Sequence, residues 1–166
     1  PLTLLEGRRR VLVKGVAGSG KTVLAVKKAR EFATAGRVGE QRGEHHHKVG
    51  TAPRVLLLCY NRPLERLLRE SVSDLKGAVL ASNYHNFLVT TLEQAGVPVD
   101  KRDEPAFWNE ELPAAFSDFL KRHPVDFDAV VVDEGQDFRD EFWVTIEEML
   151  RPDGNLFIFY DDGQNL

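Results

Sequence analysis

The chain is 166 residues long, carries a formal net charge of −4 and is 42% hydrophobic. That length suits one domain with a proper core, and the composition is that of a soluble globular protein rather than a membrane, fibrous or disordered one. The acidic balance gives no global nucleic-acid signature, although a local basic track is compatible with it. No apolar stretch approaches the ~20 residues that span a bilayer, and no signal peptide is visible, so no membrane partner is expected. Cys59 is the single cysteine and cannot form an internal disulfide, which suits a reducing, cytoplasmic location. The chain starts at Pro1, without an initiator methionine, and stops after Asn165-Leu166, so it is read as part of something longer.

The first element in chain order is a short strand, Arg10–Lys14, rich in β-branched and apolar residues. It runs into Gly15-Val16-Ala17-Gly18-Ser19-Gly20-Lys21-Thr22, which fits G-x-x-x-x-G-K-[ST], the phosphate-binding P-loop. A helix is expected over Lys21–Ala35, with Ala25, Ala29, Phe32 and Ala33 on one face and Gly36 as its stop. A strand, a glycine-rich turn and a helix start together leave backbone N–H groups unpaired, and these with the helix dipole favour an anion. Lys21 is expected to reach the β- and γ-phosphates of a nucleotide such as ATP, and the Thr22 hydroxyl to bind Mg²⁺.

The stretch Arg37–Arg54, with Gly39, Gly43, Gly50, Pro53 and His45-His46-His47, reads as a mobile surface loop. Three adjacent histidines without cysteine or carboxylate spacing make no zinc site. A second strand covers Val55–Tyr60. The next helix has Pro63 in its first turn and an apolar stripe of Leu64, Leu67, Leu68 and Val72. A third strand covers Ala78–Ala81, and a helix Tyr84–Ala95 is stopped by Gly96 and Pro98. Val97–Pro105 is a polar connector. Leu112, Phe116, Phe119 and Leu120 mark another amphipathic helix, with Trp108 and Trp143 expected to pack on helices. A fourth strand, Asp128–Val132, is followed by a helix through Phe142, Trp143, Ile146, Met149 and Leu150 that ends at Pro152-Asp153-Gly154. The last strand is Leu156–Tyr160. Alternation of this kind predicts an α/β fold, a parallel sheet with helices on both faces.

The fourth strand ends in Asp133-Glu134. A P-loop alone binds phosphates; hydrolysis also needs a carboxylate on Mg²⁺ and a group that positions or deprotonates the attacking water. Asp133, at the carboxyl end of the strand, is the expected Mg²⁺ partner beside Thr22, and Glu134 the candidate general base. The ligand crevice of a doubly wound sheet lies at these strand ends.

Four segments taken together resemble superfamily 1 helicases of the UvrD/Rep kind. Asp133-Glu134-Gly135-Gln136-Asp137-Phe138 looks like their D-E-x-Q-D motif. Leu57-Leu58-Cys59-Tyr60-Asn61-Arg62-Pro63-Leu64 resembles a strand-to-helix motif that touches single-stranded DNA. Ser82-Asn83-Tyr84-His85-Asn86-Phe87 resembles the T-F-H-type motif, and Phe159-Tyr160-Asp161-Asp162-Gly163-Gln164-Asn165 the D-x-x-Q motif. The resemblance covers nearly the whole chain and implies one P-loop NTPase domain of RecA-like fold, residues 1–166, the N-terminal of two such motor domains. It implies that Gln136 senses nucleotide, that Gln164 contacts the γ-phosphate in the catalytic set with Lys21 and Glu134, and that the P-loop strand and the Asp133 strand flank Leu156–Tyr160. It also implies that Tyr60, Asn61 and His85 line the nucleic-acid track. Tyr60 offers a face for base stacking, and Arg62, with Arg66 and Arg69, is placed to meet phosphates.

The implied partners are single-stranded DNA, with RNA not distinguished from it, and the second RecA-like domain. Two features depart from the pattern. Pro1–Arg9 contains no glutamine to contact adenine, and Val97–Phe127 is too short for the subdomain such enzymes insert there. The other readings of the same residues are a self-contained P-loop NTPase or kinase and a nucleotide-responsive regulatory module.

Overall fold

A computed structural model describes residues 9–39, 54–75 and 77–161. Among them lies one five-stranded sheet in the order β1-β5-β4-β2-β3, with every neighbouring pair parallel. The strands are β1 (Arg10–Gly15), β2 (Val55–Cys59), β3 (Val79–Asn83), β4 (Phe127–Val132) and β5 (Leu150–Asp161). The helices are α1 (Lys21–Gly39), α2 (Arg62–Ser71), α3 (Tyr84–Gln94), α4 (Leu112–Leu120) and α5 (Asp140–Glu148). The expected α/β, RecA-like architecture is therefore the observed one, and β1 and β4 do flank β5.

Strand periodicity explains how helices cover both faces. Leu56 and Leu58 of β2, Val130 and Val132 of β4, and Leu156 of β5 point into a core with α3, α4 and α5. Their alternates Leu57, Cys59, Ala129, Val131, Phe157 and Phe159 point into a second core with α1 and α2. A central parallel strand is thus apolar at every position, because both its faces are dry. On α1 the small residues Ala25, Ala29 and Ala33 let the helix lie close on the sheet, all three being at most 1% exposed. Each large side chain buried in these cores contributes ~1.5–3 kcal/mol of apolar transfer energy.

Most element boundaries fall within two residues of the expectations, and the larger differences lie at α1, α5 and β5. α1 continues through Gly36 to Gly39; a glycine costs a helix about 1 kcal/mol against alanine but does not block it. The expected loop Arg37–Arg54 therefore begins inside a helix, and its residues 40–53, with His45, His46 and His47, lie outside the described residues. At the other end α5 stops at Glu148, and β5 already starts at Leu150, paired with Phe127. Pro152-Asp153-Gly154 is a bulged stretch of strand between the Phe127↔Leu150 and Ala129↔Asn155 pairings rather than a free turn. A bulge accommodates residues that a regular ladder cannot, so turn-forming residue types mislead there. Finally, a π-helical turn, Phe107–Glu111, precedes α4 and was not expected.

Among the described residues no helix is long and apolar enough to cross a membrane.

Candidate functional site

The carboxyl ends of β1, β4 and β5 meet at the start of α1, because Gly15 pairs beside Asp161 at one end of the sheet. Gly18 and Gly20 have φ of 75° and 81°, conformations open to glycine and costly for other residues. They turn the loop back over the helix start. A cavity of about 300 Å³ results, lined by Ala17, Gly18, Gly20, Lys21, Thr22, Glu134 and Asp161.

Lys21 is only 6% exposed. Its Nζ donates to the carbonyls of Gly15 (3.0 Å) and Val16 (2.9 Å) and to Asp161 Oδ2 (3.1 Å). The lysine is thus folded onto its own loop, where its charge meets two carbonyl dipoles and one carboxylate. Asp161 is 2% exposed. As the first acid of the D-D-G-Q stretch it stood in plain view in the sequence, yet it carried no role there.

Asp133 is fully buried at the end of β4. Its Oδ1 accepts the Glu134 N–H at 3.1 Å, while Oδ2 has no hydrogen-bond partner. Burial raises the carboxyl above its ordinary range; the Thr22 hydroxyl opposes that rise and the Glu134 charge adds to it. A buried acceptor left unsatisfied is costly. An oxygen pair of this kind, a hydroxyl and a carboxylate beside a phosphate cradle, has the hard-donor chemistry that Mg²⁺ takes. The residues present fit that ion.

Glu134 is the only non-glycine among the described residues with positive φ, at 54°. The left-handed turn aims the chain back across the strand ends and costs of order 1–3 kcal/mol, strain of the sort that accumulates at functional sites. Glu134 Oε2 accepts from Gln136 Nε2 at 2.5 Å, and Gln136 Oε1 accepts the Asp161 N–H at 3.0 Å. Gly135 lies so close to β5 that a Cβ there would stand 2.5 Å from Ile158 Cγ2.

A second cavity, of about 370 Å³, lies beyond the end of β2. Tyr60, Arg62, Asn83 and His85 line it together with Pro105, Trp108 and Asn109. Three of the four residues expected on a nucleic-acid track are therefore brought together here. The fourth, Asn61, is engaged locally: its side chain accepts the Leu64 N–H at 3.0 Å and caps α2. Arg66 and Arg69 pair with Glu70 and Glu65 along α2. That is the pattern of a solvated helix face. Arg62 is exposed at the cavity.

Tyr60 packs edge-on to His85 (centroids 5.6 Å apart) and to Phe138 (6.2 Å), the residue that ends the acidic motif. The two cavities are thereby joined by a short run of chain, Glu134 to Phe138. Cys59, the last residue of β2, is fully buried, and burial pushes its thiol up to about 12, so it stays protonated.

Gln164 lies outside the described residues. Among the described residues no group of three His, Cys, Asp or Glu side chains could hold a metal ion by itself.

A comparison with curated proteins finds no match. A family model, Schlafen group 3, DNA/RNA helicase domain, matches residues 8–166. A P-loop α/β sheet with an acidic strand end beside it agrees with that match, and the chain belongs to the Schlafen group 3 DNA/RNA helicase domain family.

Proposed function

We propose that this domain binds Mg²⁺-ATP at the P-loop. In the intact protein, on this reading, it hydrolyses ATP to move along a single strand of nucleic acid or to unwind a duplex, as UvrD/Rep-like superfamily 1 motors do. The observation that carries the reading is the buried carboxylate of Asp133, which meets the Thr22 hydroxyl and keeps Oδ2 unpartnered, next to a glycine cradle lined by Thr22 and Lys21.

Lys21 leaves its two carbonyl partners for the β- and γ-phosphates. Thr22 and Asp133 would hold Mg²⁺, which would supply neutralisation of phosphate charge. Glu134 orients or deprotonates the attacking water, and Gln136 holds the Glu134 carboxylate in place. Gln164 contacts the γ-phosphate, as the resemblance implies. Residues 1–166 act as one RecA-like unit and require a second such domain for movement, since translocation needs two bodies that open and close around nucleotide. Tyr60, Arg62 and His85 meet the nucleic acid.

The test is ATP turnover by the full-length protein with and without single-stranded DNA and single-stranded RNA. Strong stimulation by either supports the motor reading and names its track. Turnover indifferent to both overturns it in favour of a self-contained NTPase. ATP binding without turnover would point to a nucleotide-responsive regulatory module.

A further inference from the structure

The π-helical turn Phe107–Glu111 adds something to the second cavity that the helicase-like motifs do not contain. It carries Trp108, whose ring stands edge-on to His85 with centroids 5.7 Å apart, and places Asn109 on the cavity wall. Phe107 is buried and packs against Trp108 at 5.0 Å, which anchors the turn. A π-turn widens a helix by one residue, and such turns recur at functional sites. Here it carries an aromatic and an amide side chain to the side of the cavity that Tyr60 does not supply.

We infer that Trp108 and Asn109 complete, with Tyr60 and His85, a pocket that takes one flipped-out base of a single-stranded nucleic acid. The inference rests on the nucleic-acid reading above and adds the wall that grips the base. Four observations support it. The cavity is large enough for one base, at about 370 Å³. Its aromatic rings suit a planar π-system of any base identity. Arg62 is exposed at the same cavity, where a phosphate of the same nucleotide would be neutralised. The last is an unpaired acceptor. His85 hydrogen-bonds the Trp108 backbone through one ring nitrogen, while its Nε2 is buried without any partner. Burial lowers the imidazole below its ordinary range, with the Arg62 charge acting in the same direction, so the ring is neutral at physiological pH. A neutral ring that donates from one nitrogen can only accept at the other. Nε2 is therefore an acceptor without a donor, enclosed within a residue of the cavity wall, and a base edge or a ribose hydroxyl reaches it as the wall side chains shift on binding.

The experiment uses the full-length protein and two labelled oligonucleotides, deoxythymidine and uridine 12-mers, with affinity read by anisotropy. Trp108→Ala is expected to weaken binding by about 5- to 150-fold, the loss of one stacked base. Trp108→Phe should keep most of the affinity. Asn109→Ala, which removes no core contact, should weaken binding by roughly 3- to 10-fold, the loss of one hydrogen bond. His85→Phe should weaken the uridine oligomer alone if Nε2 meets the ribose hydroxyl, or both oligomers alike if it meets the base. Photocrosslinking of the unaltered protein to 5-iodouracil oligomers should mark Trp108.

Tight binding that weakens with Tyr60→Ala but is unmoved by Trp108→Ala and Asn109→Ala, with no crosslink at Trp108, overturns the pocket and leaves the nucleic-acid reading intact. Absence of any oligonucleotide binding by the unaltered protein overturns both.

Discussion

The side-chain carbonyl of Gln136 accepts the backbone N–H of Asp161 at 3.0 Å, so one glutamine ties the acidic turn after β4 to the end of β5. The same side chain donates to Glu134. It can therefore report the position of the β5 end to the group proposed to handle water. Gln136→Ala is expected to lower the ATPase kcat of the full-length protein at least about tenfold, with ATP affinity changed less than about threefold. Steady-state kinetics and calorimetry check it. An unchanged kcat would reduce the tie to a structural one.

Gly135 is a glycine because of what it faces, not because of its own backbone. A methyl group there would meet Ile158 Cγ2 at 2.5 Å and Trp143 at 3.7 Å. Gly135→Ala should cost about 1–3 kcal/mol, the usual range for overpacking. Ile158→Ala should be much less costly in that background than in the natural chain, because it vacates the same space. A double-mutant cycle in urea measures the coupling. Additive costs would show that the turn shifts instead of clashing.

Glu134 holds a left-handed backbone that glycine would adopt without strain. Glu134→Gly is expected to leave stability unchanged or raised by up to about 1 kcal/mol, while abolishing ATP hydrolysis. Glu134→Gln should retain ATP binding and also lose turnover. Near-normal turnover in either variant removes Glu134 from the role of base. A large loss of stability in the glycine variant would mean that its bond from Gln136 holds the turn.

Lys21 and Asp161 form an ion pair with side chains 6% and 3% exposed. Lys21→Ala removes the lysine and leaves a buried carboxylate behind, which should cost about 3 kcal/mol of stability and abolish ATP binding. Asp161→Asn in the same chain should restore much of the stability and none of the binding. Thermal melts and ATP titration separate the two effects. Retained ATP affinity in Lys21→Ala would overturn the P-loop assignment itself.

The loop from which a nucleotide site is proposed was legible because it is local. A P-loop is eight consecutive residues, and the strand before it and the helix after it announce themselves by composition and periodicity. The same holds for Val130–Glu134, whose continuous apolar run signals a strand dry on both faces, with acids at its end. Helix α1 and the bulge at Pro152-Asp153-Gly154 were misjudged for the opposite reason. Glycine and proline bias the backbone by about a kilocalorie or a few, and continued helix or sheet pairing to a neighbour outweighs that bias, which no local pattern reveals.

What the residues determined alone is the fold class, the glycine-rich loop between a strand and a helix, and Glu134 as one of the two acids that line the cavity there. What only the tertiary structure decided is which groups meet. Asp161 reaches Lys21 because parallel pairing sets Gly15 beside it. Trp108 reaches His85 because a π-turn and the packing of Phe107 carry it there. Neither contact leaves a periodic trace in the chain, since each joins residues far apart in sequence through packing that forms only when the whole sheet and its covering helices are in place.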